Sequence, residues 1–530
     1  MEQNDNLQQR LLLALVLSFL VFVVFDMFMP KTPKSVDQNG TTVTKQEQQT
    51  PSVMNSGSKT APVQNSQSLA PITTVKSLTT VNSDRFIYSI DELGRIAQVK
   101  MLEKKYEYEG KKLELLNPLW VKPLEIRFAD VSLNKEALKT PYTASISKID
   151  LDGNSTNKVV LTQKLSSLTV TKELTFYKDG HYDINIKLSN PADYFITTGQ
   201  RPNADHTMYM VVQGSLIKKG NGVIEVLEDG DVEETLNVQN AKFASAFDRY
   251  FTSTLYNFEK PLRVSNLIIG EDKDNALLFI QGEQTFALHG YLGPKDSSIL
   301  KSINPELTDV IEYGFFTFIS KPLFKVLEWF HGLVGNWGWA IVLVTLLIKL
   351  ILFPLSYKGM MSMQKLKDLA PQMKELKEKY GKDPQKMNAK MMEMYKKHGA
   401  NPMGGCLPML LQIPIFFAIY RVLLNAVELQ GAEWTLWITN LSVMDPYFVL
   451  PLLMGASMWY QQKITPNTMT DPMQQKIFQW LPVVMTVFFI TFPAGLVLYW
   501  LVNNIFTIAQ QYVINNAFEK QKAAKIAAQK

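Results

Sequence analysis

An apolar run from Trp337 to Tyr357 is long enough to cross a bilayer, and Lys349 stands well inside it. A charge at that depth costs about 2.5–3.5 kcal/mol on insertion scales. A chain bears that cost only where the ammonium faces a wet cavity or a partner, so a plain lipid anchor is a poor account of the run. Thr345, Lys349 and Ser356 fall at i, i+4 and i+11 and mark one polar stripe along a helix. The rival reading is a lysine snorkelling to the membrane surface. Against it, Lys349 lies about eight residues, or ~12 Å of helix rise, from the tyrosine that ends the run.

Five other segments are apolar enough to be spans: 11–25, 407–426, 447–464, 477–492 and 495–513. The first, with residues 1–30 around it, has no small-x-small cleavage site or lipobox cysteine, and Glu2 and Asp5 precede it. An uncleaved signal anchor is expected there. Orientation follows from loop charge. Residues 358–403 carry eleven lysines against five acids, and the tail 514–530 carries four lysines and one glutamate. The loop 427–446 has Glu428, Glu433 and Asp445 with no basic residue. The lysine-rich loop, the tail and the N-terminus are therefore expected in the cytoplasm, with Trp434 and Trp437 in an outer aromatic belt.

A mean hydropathy of −0.04 hides how unevenly the 530 residues are divided. Residues 31–85 hold no aromatic side chain and are dense in Ser, Thr, Gln and Asn, the composition of a flexible tether. From 86 to 312 the pattern turns to period two. Leu168, Val170, Leu174 and Phe176 share one parity, a Lys178-Asp179-Gly180 turn follows, and Ile184, Ile186 and Leu188 share the next. That is a hairpin in a large all-β sandwich. Residues 313–335 are amphipathic, with Leu323, Val326, Leu327, Phe330 and Val334 on one face, and suit a helix lying in the membrane interface. Residues 336–513 form a five-helix core and 514–530 a basic tail. The expected architecture is thus multi-domain: a polytopic α-helical membrane core with six transmembrane helices, an outer all-β domain and a cytoplasmic helical hairpin within 358–403.

In the hairpin, Met363, Leu366, Ala370, Met373, Leu376 and Tyr380 make one stripe and Met387, Met391, Met394 and His398 another, which suits two arms packed together. Met360, Met361 and Met392 fall outside the stripes, and their thioethers suit variable apolar clients. In the last span Trp500, Asn504, Thr507 and Gln511 share a face. Gln412 and Gln479 stand near the cytoplasmic starts of their spans. Several polar stripes beside one charge point to a polar cavity in the bundle, whereas Arg421 suits a snorkelling residue and Cys406 a packing residue. One cysteine excludes an internal disulfide framework, and the five histidines show no metal-ligand spacing. No phosphate loop or nucleophile elbow is present. No cofactor, metal or catalytic residue is expected.

Asn401-Pro402-Met403-Gly404-Gly405-Cys406-Leu407-Pro408 followed by Gln412-Ile413-Pro414-Ile415-Phe416 resembles the start of the third span in YidC-type membrane protein insertases. Asp471-Pro472-Met473-Gln474-Gln475-Lys476 and Phe492-Pro493-Ala494-Gly495-Leu496 resemble that family too, and the resemblance covers essentially the whole chain of the Gram-negative form. It implies a non-enzymatic insertase and chaperone for newly made inner-membrane proteins, acting alone or with Sec translocon components, and a β-supersandwich in the periplasm. It also implies a positive charge in a hydrophilic groove closed on the outside. Lys349 stands where the family usually has arginine, Thr345 matches the groove threonine, and Trp500 occupies a position where tyrosine is common. Gln412 and Asn504 complete the expected groove. Phe416 and Phe488 would form the slide along which a client leaves, and Asp471, Pro472 and Gln475 lie in a cytoplasmic loop. The ribosome and membrane lipids are further expected partners. A secondary transporter or ion pathway would also put a charge at mid-membrane, but it favours internal repeats, which are not seen here. An anchored carbohydrate-active enzyme would leave the polar bundle unexplained.

Overall fold

The computed structural model describes residues 76–528, apart from 108–109, 154–156, 206–210, 270–274, 382, 399–406 and 466–471. The expected anchor (1–30) and most of the expected tether lie outside the described residues. The chain divides into two compact units, one ending at Ile311 and the other running on from Glu312.

The first unit is built of strands. Thr169–Phe176 and His181–Leu188 pair antiparallel from Val170↔Leu188 to Phe176↔Tyr182, as the alternation predicts. Gly180 in the connecting turn has φ +92°, the left-handed region that glycine enters without a Cβ clash. This hairpin belongs to a 13-stranded sheet, and a 4-stranded sheet accompanies it. Tyr88 of the smaller sheet packs on Phe176 and Tyr182, with ring centroids at 5.7 and 6.4 Å, and its hydroxyl donates to Gly180 O at 2.9 Å. Among the described residues the first strand begins at Ser77 and not at Phe86. Ser77–Asn82 pairs with Phe86–Asp91 on one side and runs parallel to Lys148–Asp150 on the other. The strand reads Ser-Leu-Thr-Thr-Val-Asn, with no aromatic signal, and the tether expected over 31–85 therefore included it. Thr79 is fully buried because its hydroxyl donates to Ile146 O at 2.7 Å.

The second unit is helical: α1 (Thr317–Val334), α2 (Trp337–Tyr380), α3 (Pro384–His398), α4 (Leu407–Asn425), α5 (Val449–Ile464), α6 (Pro472–Phe489) and α7 (Ala494–Ala528). Helices thus occupy each of the five apolar segments from 337 onward. α2 is long and apolar enough to cross a membrane, and Gln412–Asn425 is a shorter apolar stretch. Gly335, with φ +66°, ends α1, and the Asn336 side chain accepts from Trp339 N at 3.0 Å to start α2. α2 is one 44-residue helix, so the Lys349 segment and the first arm of the hairpin are a single rod.

The arms meet through Leu366, Leu369, Met394 and Tyr395, with Met363, Met373, Leu376 and Met391 against them. Leu369, not Ala370, is the buried member of its turn, and Tyr395 takes the place expected of the exposed His398. Met360 and Met361 pack with Tyr357 on Ile514 and Phe518 of α7, whereas Met392 is exposed. In α1 the buried positions are Ser320, Phe324 and Leu327, rotated from the expected face, while Phe318, Trp329 and Leu333 are exposed. The buried side faces α4, where Ser320 Oγ donates to Ala418 O at 3.3 Å and Phe316, just before α1, stacks on Phe417.

Candidate functional site

α2 places Lys349 against α7. Lys349 is 8% exposed, and its Nζ donates to Thr507 Oγ1 at 2.8 Å. No carboxylate among the described residues lies within ion-pair distance of it. A full charge in a low-dielectric setting is thus held by a neutral hydroxyl. Asn503, one turn before Thr507, accepts from Gln412 Nε2 at 2.9 Å, which ties α4 to the same wall. Gln510 Nε2 lies 3.4 Å from the Lys349 carbonyl.

The polar strip continues along α2 and α7. Gln364 and Gln511 both donate to Asn515 Oδ1, and beyond them Lys522 Nζ pairs with Asp368 at 2.8 Å. Polar partners therefore lead from Lys349 towards the hairpin end of the bundle. The opposite end is stoppered by the connection between α4 and α5. There Asn336 Nδ2 donates to Glu433 O at 3.0 Å, and Ala494 N and Gly495 N donate to Val443 O and Leu441 O. Asp445 is fully buried in this stopper, accepting from Trp437 Nε1 at 3.0 Å and Leu450 N at 2.7 Å. Trp434 and Trp437 of the expected aromatic belt belong to it. Trp434 crosses Trp339 edge-on at 5.7 Å.

Beside the polar strip stands an aromatic wall. Trp500 of α7 sits between Phe416 of α4 at 5.1 Å and Phe489 of α6 at 5.4 Å, and Phe492 approaches both Phe488 at 5.0 Å and Tyr420 at 6.4 Å. α4 and α6 are bridged here through the Trp500 ring of α7. The Trp500 Nε1 atom is buried with no hydrogen-bond acceptor among the described residues.

Of the expected groove residues, Lys349 and Gln412 meet through α7. Thr345 is buried one turn before Lys349, but its hydroxyl donates to Ile341 O of its own helix at 2.7 Å. Asn504 turns to α5, where Nδ2 donates to Ser457 Oγ at 3.1 Å. Asn503 was missed, although two adjacent asparagines in an apolar helix were a signal. Phe416 and Phe488 are both in the aromatic wall. Gln475 is half-buried in α6, Pro472 is the first residue of that helix, and Asp471 lies outside the described residues, as do 401–406.

The β unit also buries lysines, Lys172 most completely. Lys172, on the apolar parity of its strand, is fully buried and donates to Gly94 O at 3.0 Å and Leu124 O at 2.8 Å, with the Tyr142 ring 4.9 Å away. Beside it Arg95 bridges Asp91 and Glu125, at 2.8 Å each. Burial pushes the Lys172 ammonium down to about 7 and that of Lys122 to about 8. Leu124 has φ +68°, a left-handed turn for a bulky residue, and the lysine contact fastens its carbonyl.

A helical unit with a span-length apolar helix, a buried lysine within it and a strip of polar partners along α2 and α7 has the features of a membrane protein. The family described as the 60Kd inner membrane protein matches residues 329–522, and the YidC periplasmic domain matches 78–326. The membrane protein insertase YidC of Campylobacter jejuni is 50% identical over 532 residues, covering 99% of each chain. That of Helicobacter pylori (strain 26695) is 48% identical over 553 residues, covering 98% of each. A crystal structure of an active YidC insertase with the first transmembrane domain resolved is similar at 19% identity and a TM-score of 0.36, covering 83% of this chain and 95% of that one. The chain belongs to the YidC family of membrane protein insertases: an inner-membrane protein with a periplasmic β-rich domain and a helical core.

Proposed function

We propose that this insertase moves newly made proteins into the inner membrane through the groove around Lys349. Partition of an apolar client helix into lipid is downhill. The barrier lies in its polar flank, which must cross ~30 Å of hydrocarbon. A wet strip from the hairpin end to Lys349 shortens that path, and the ammonium attracts acidic groups on the flank. At 4 Å two unit charges interact by about 4 kcal/mol in a partly wet protein site. The client helix then leaves between α4 and α6, past Phe416 and Phe488, as the rings around Trp500 give way. No bond is made or broken in the protein, so no catalytic residue is needed.

The topology that suits this reading has six spans, with an anchor in 1–30, both termini and the hairpin in the cytoplasm, and a periplasmic β-supersandwich. In this reading the residues before Ser77 serve as the tether, 313–335 as an interfacial helix and 514–530 as a basic cytoplasmic tail. The lysine-rich hairpin suits docking of the ribosome or anionic lipid headgroups, and Sec translocon components are the expected partners for larger clients.

The observation that carries the proposal is a buried Lys349 whose side chain has a neutral acceptor in place of a counter-ion. The test is protease protection of a tail-tagged client in cells depleted of their own insertase and supplied with variants at matched levels. Equal insertion by Lys349→Ala, Lys349→Arg and Lys349→Glu would remove the groove mechanism. A small-solute flux through proteoliposomes would favour a transporter instead.

A further inference from the structure

The proton count at Thr507 fixes the direction of its contact with Lys349. Thr507 Oγ1 lies 2.7 Å from the carbonyl oxygen of Asn503 and 2.8 Å from Lys349 Nζ. A carbonyl only accepts, so the single hydroxyl proton goes to Asn503, and the lone pairs of Oγ1 face the ammonium. Thr507 is therefore a committed acceptor. Asn503 is itself tied to α4 by Gln412, and Gln510 reaches the Lys349 backbone from the same side of α7. Both ends of Lys349 are thus addressed by α7, although the residue belongs to α2.

We propose that Thr507 is the positioning residue for the groove charge, holding Lys349 Nζ at one depth between clients and yielding it to a client carboxylate. The inference rests on the reading of Lys349 as the client-facing charge. A lysine stem is long and flexible, and without a fixed acceptor its ammonium swings towards the wet end of the strip, where Asp368 already holds Lys522. A carboxylate at 507 would hold the charge too tightly for a client to win it. A neutral hydroxyl holds it in place and still loses to an anion.

The experiment uses the full chain in depleted cells. The client carries a translocated tail with a graded number of acidic residues, and protease protection reports its insertion rate. Thr507→Val keeps the shape and removes the acceptor. It should slow the most acidic tail roughly ten-fold, with the loss shrinking as tail acids are neutralised. Thr507→Ser should restore the rate, and Thr507→Val should add no further loss in a Lys349→Ala background. Thr507→Val at the parent rate while Lys349→Ala is impaired would overturn the positioning role and leave the groove reading standing. A loss that ignores tail charge, adds to that of Lys349→Ala or persists in Thr507→Ser would make Thr507 a packing residue and overturn the proposal as well. Parent-like insertion by Lys349→Ala would instead overturn the underlying reading.

Discussion

Lys172 and Lys349 both interrupt an apolar pattern, one in a strand of the β unit and one in a helix of the membrane core. Their surroundings differ in what is left over. Lys172 is fully buried among two carbonyl oxygens and an aromatic face, three acceptors for three N–H groups. Among the described residues Lys349 Nζ has one side-chain acceptor, the Thr507 hydroxyl. The first arrangement is closed and fastens the strained turn at Leu124. The second is unfinished and lies on a polar strip. A buried lysine met by several acceptors suits a role in the fold, and in the proposed mechanism one held by a single hydroxyl is the charge offered to a client.

The largest effect should separate the two lysines by function. Lys349→Ala should lose most insertion of clients with acidic translocated tails. Lys349→Glu should be worse, because it adds repulsion, and Lys349→Arg should work about as well as the parent. Neutralising the client tail should partly rescue the alanine variant, as read by protease protection. If Lys172→Met, still folded, damaged insertion as much as Lys349→Ala does, the contrast between the two sites would collapse.

Stability should separate them in the opposite sense. Lys172→Met leaves two buried carbonyls without a donor, and urea unfolding of the β unit should show a loss of roughly 2–4 kcal/mol. Protein carrying Lys349→Met should unfold its β unit at the parent midpoint.

Proton linkage gives a smaller signature. The folded pKa of Lys172 is lowered from 10.5 to about 7, so between those values the unfolded chain binds more protons than the folded one. The stability of the β unit should therefore rise with pH across that window, and Lys122, lowered to about 8, adds in the same direction. Lys172→Met should flatten most of the slope. A slope unchanged in that variant would place the titration elsewhere.

The smallest effect is expected in the hairpin. Met373 packs between the arms, where the Tyr395 hydroxyl meets its sulfur at 3.5 Å. Met373→Leu conserves volume and should cost less than about 1.5 kcal/mol, with insertion close to the parent. A strong insertion defect from that change alone would make the arms a specific client surface and not a packed support.

Much of this was legible because periodicity records burial directly. The 168–188 hairpin, the helices from 337 onward and the charge at Lys349 follow from which positions are apolar. The same parity also contained Lys172, passed over because its neighbours made the strand look complete. The strand at Ser77–Asn82 was hidden for the converse reason: its burial rests on a threonine hydroxyl finding Ile146 O, a partner far away in the chain.

The sequence by itself determined that a charge had to be kept in an apolar helix, that polar side chains accompany it, and that a β-rich region precedes the core. Its long motifs also determined the family. Only the tertiary structure decided the pairings. At about 100° per residue, Asn503 and Asn504 point in different directions, and the packing sends one to Gln412 of α4 and the other to Ser457 of α5. Thr345 looked like the natural companion of Lys349, yet its hydroxyl closes on its own helix, and the partner comes from Thr507, 158 residues away. Helical periodicity states which face a residue occupies. Which neighbour that face meets depends on how distant helices pack, and no local pattern carries that information.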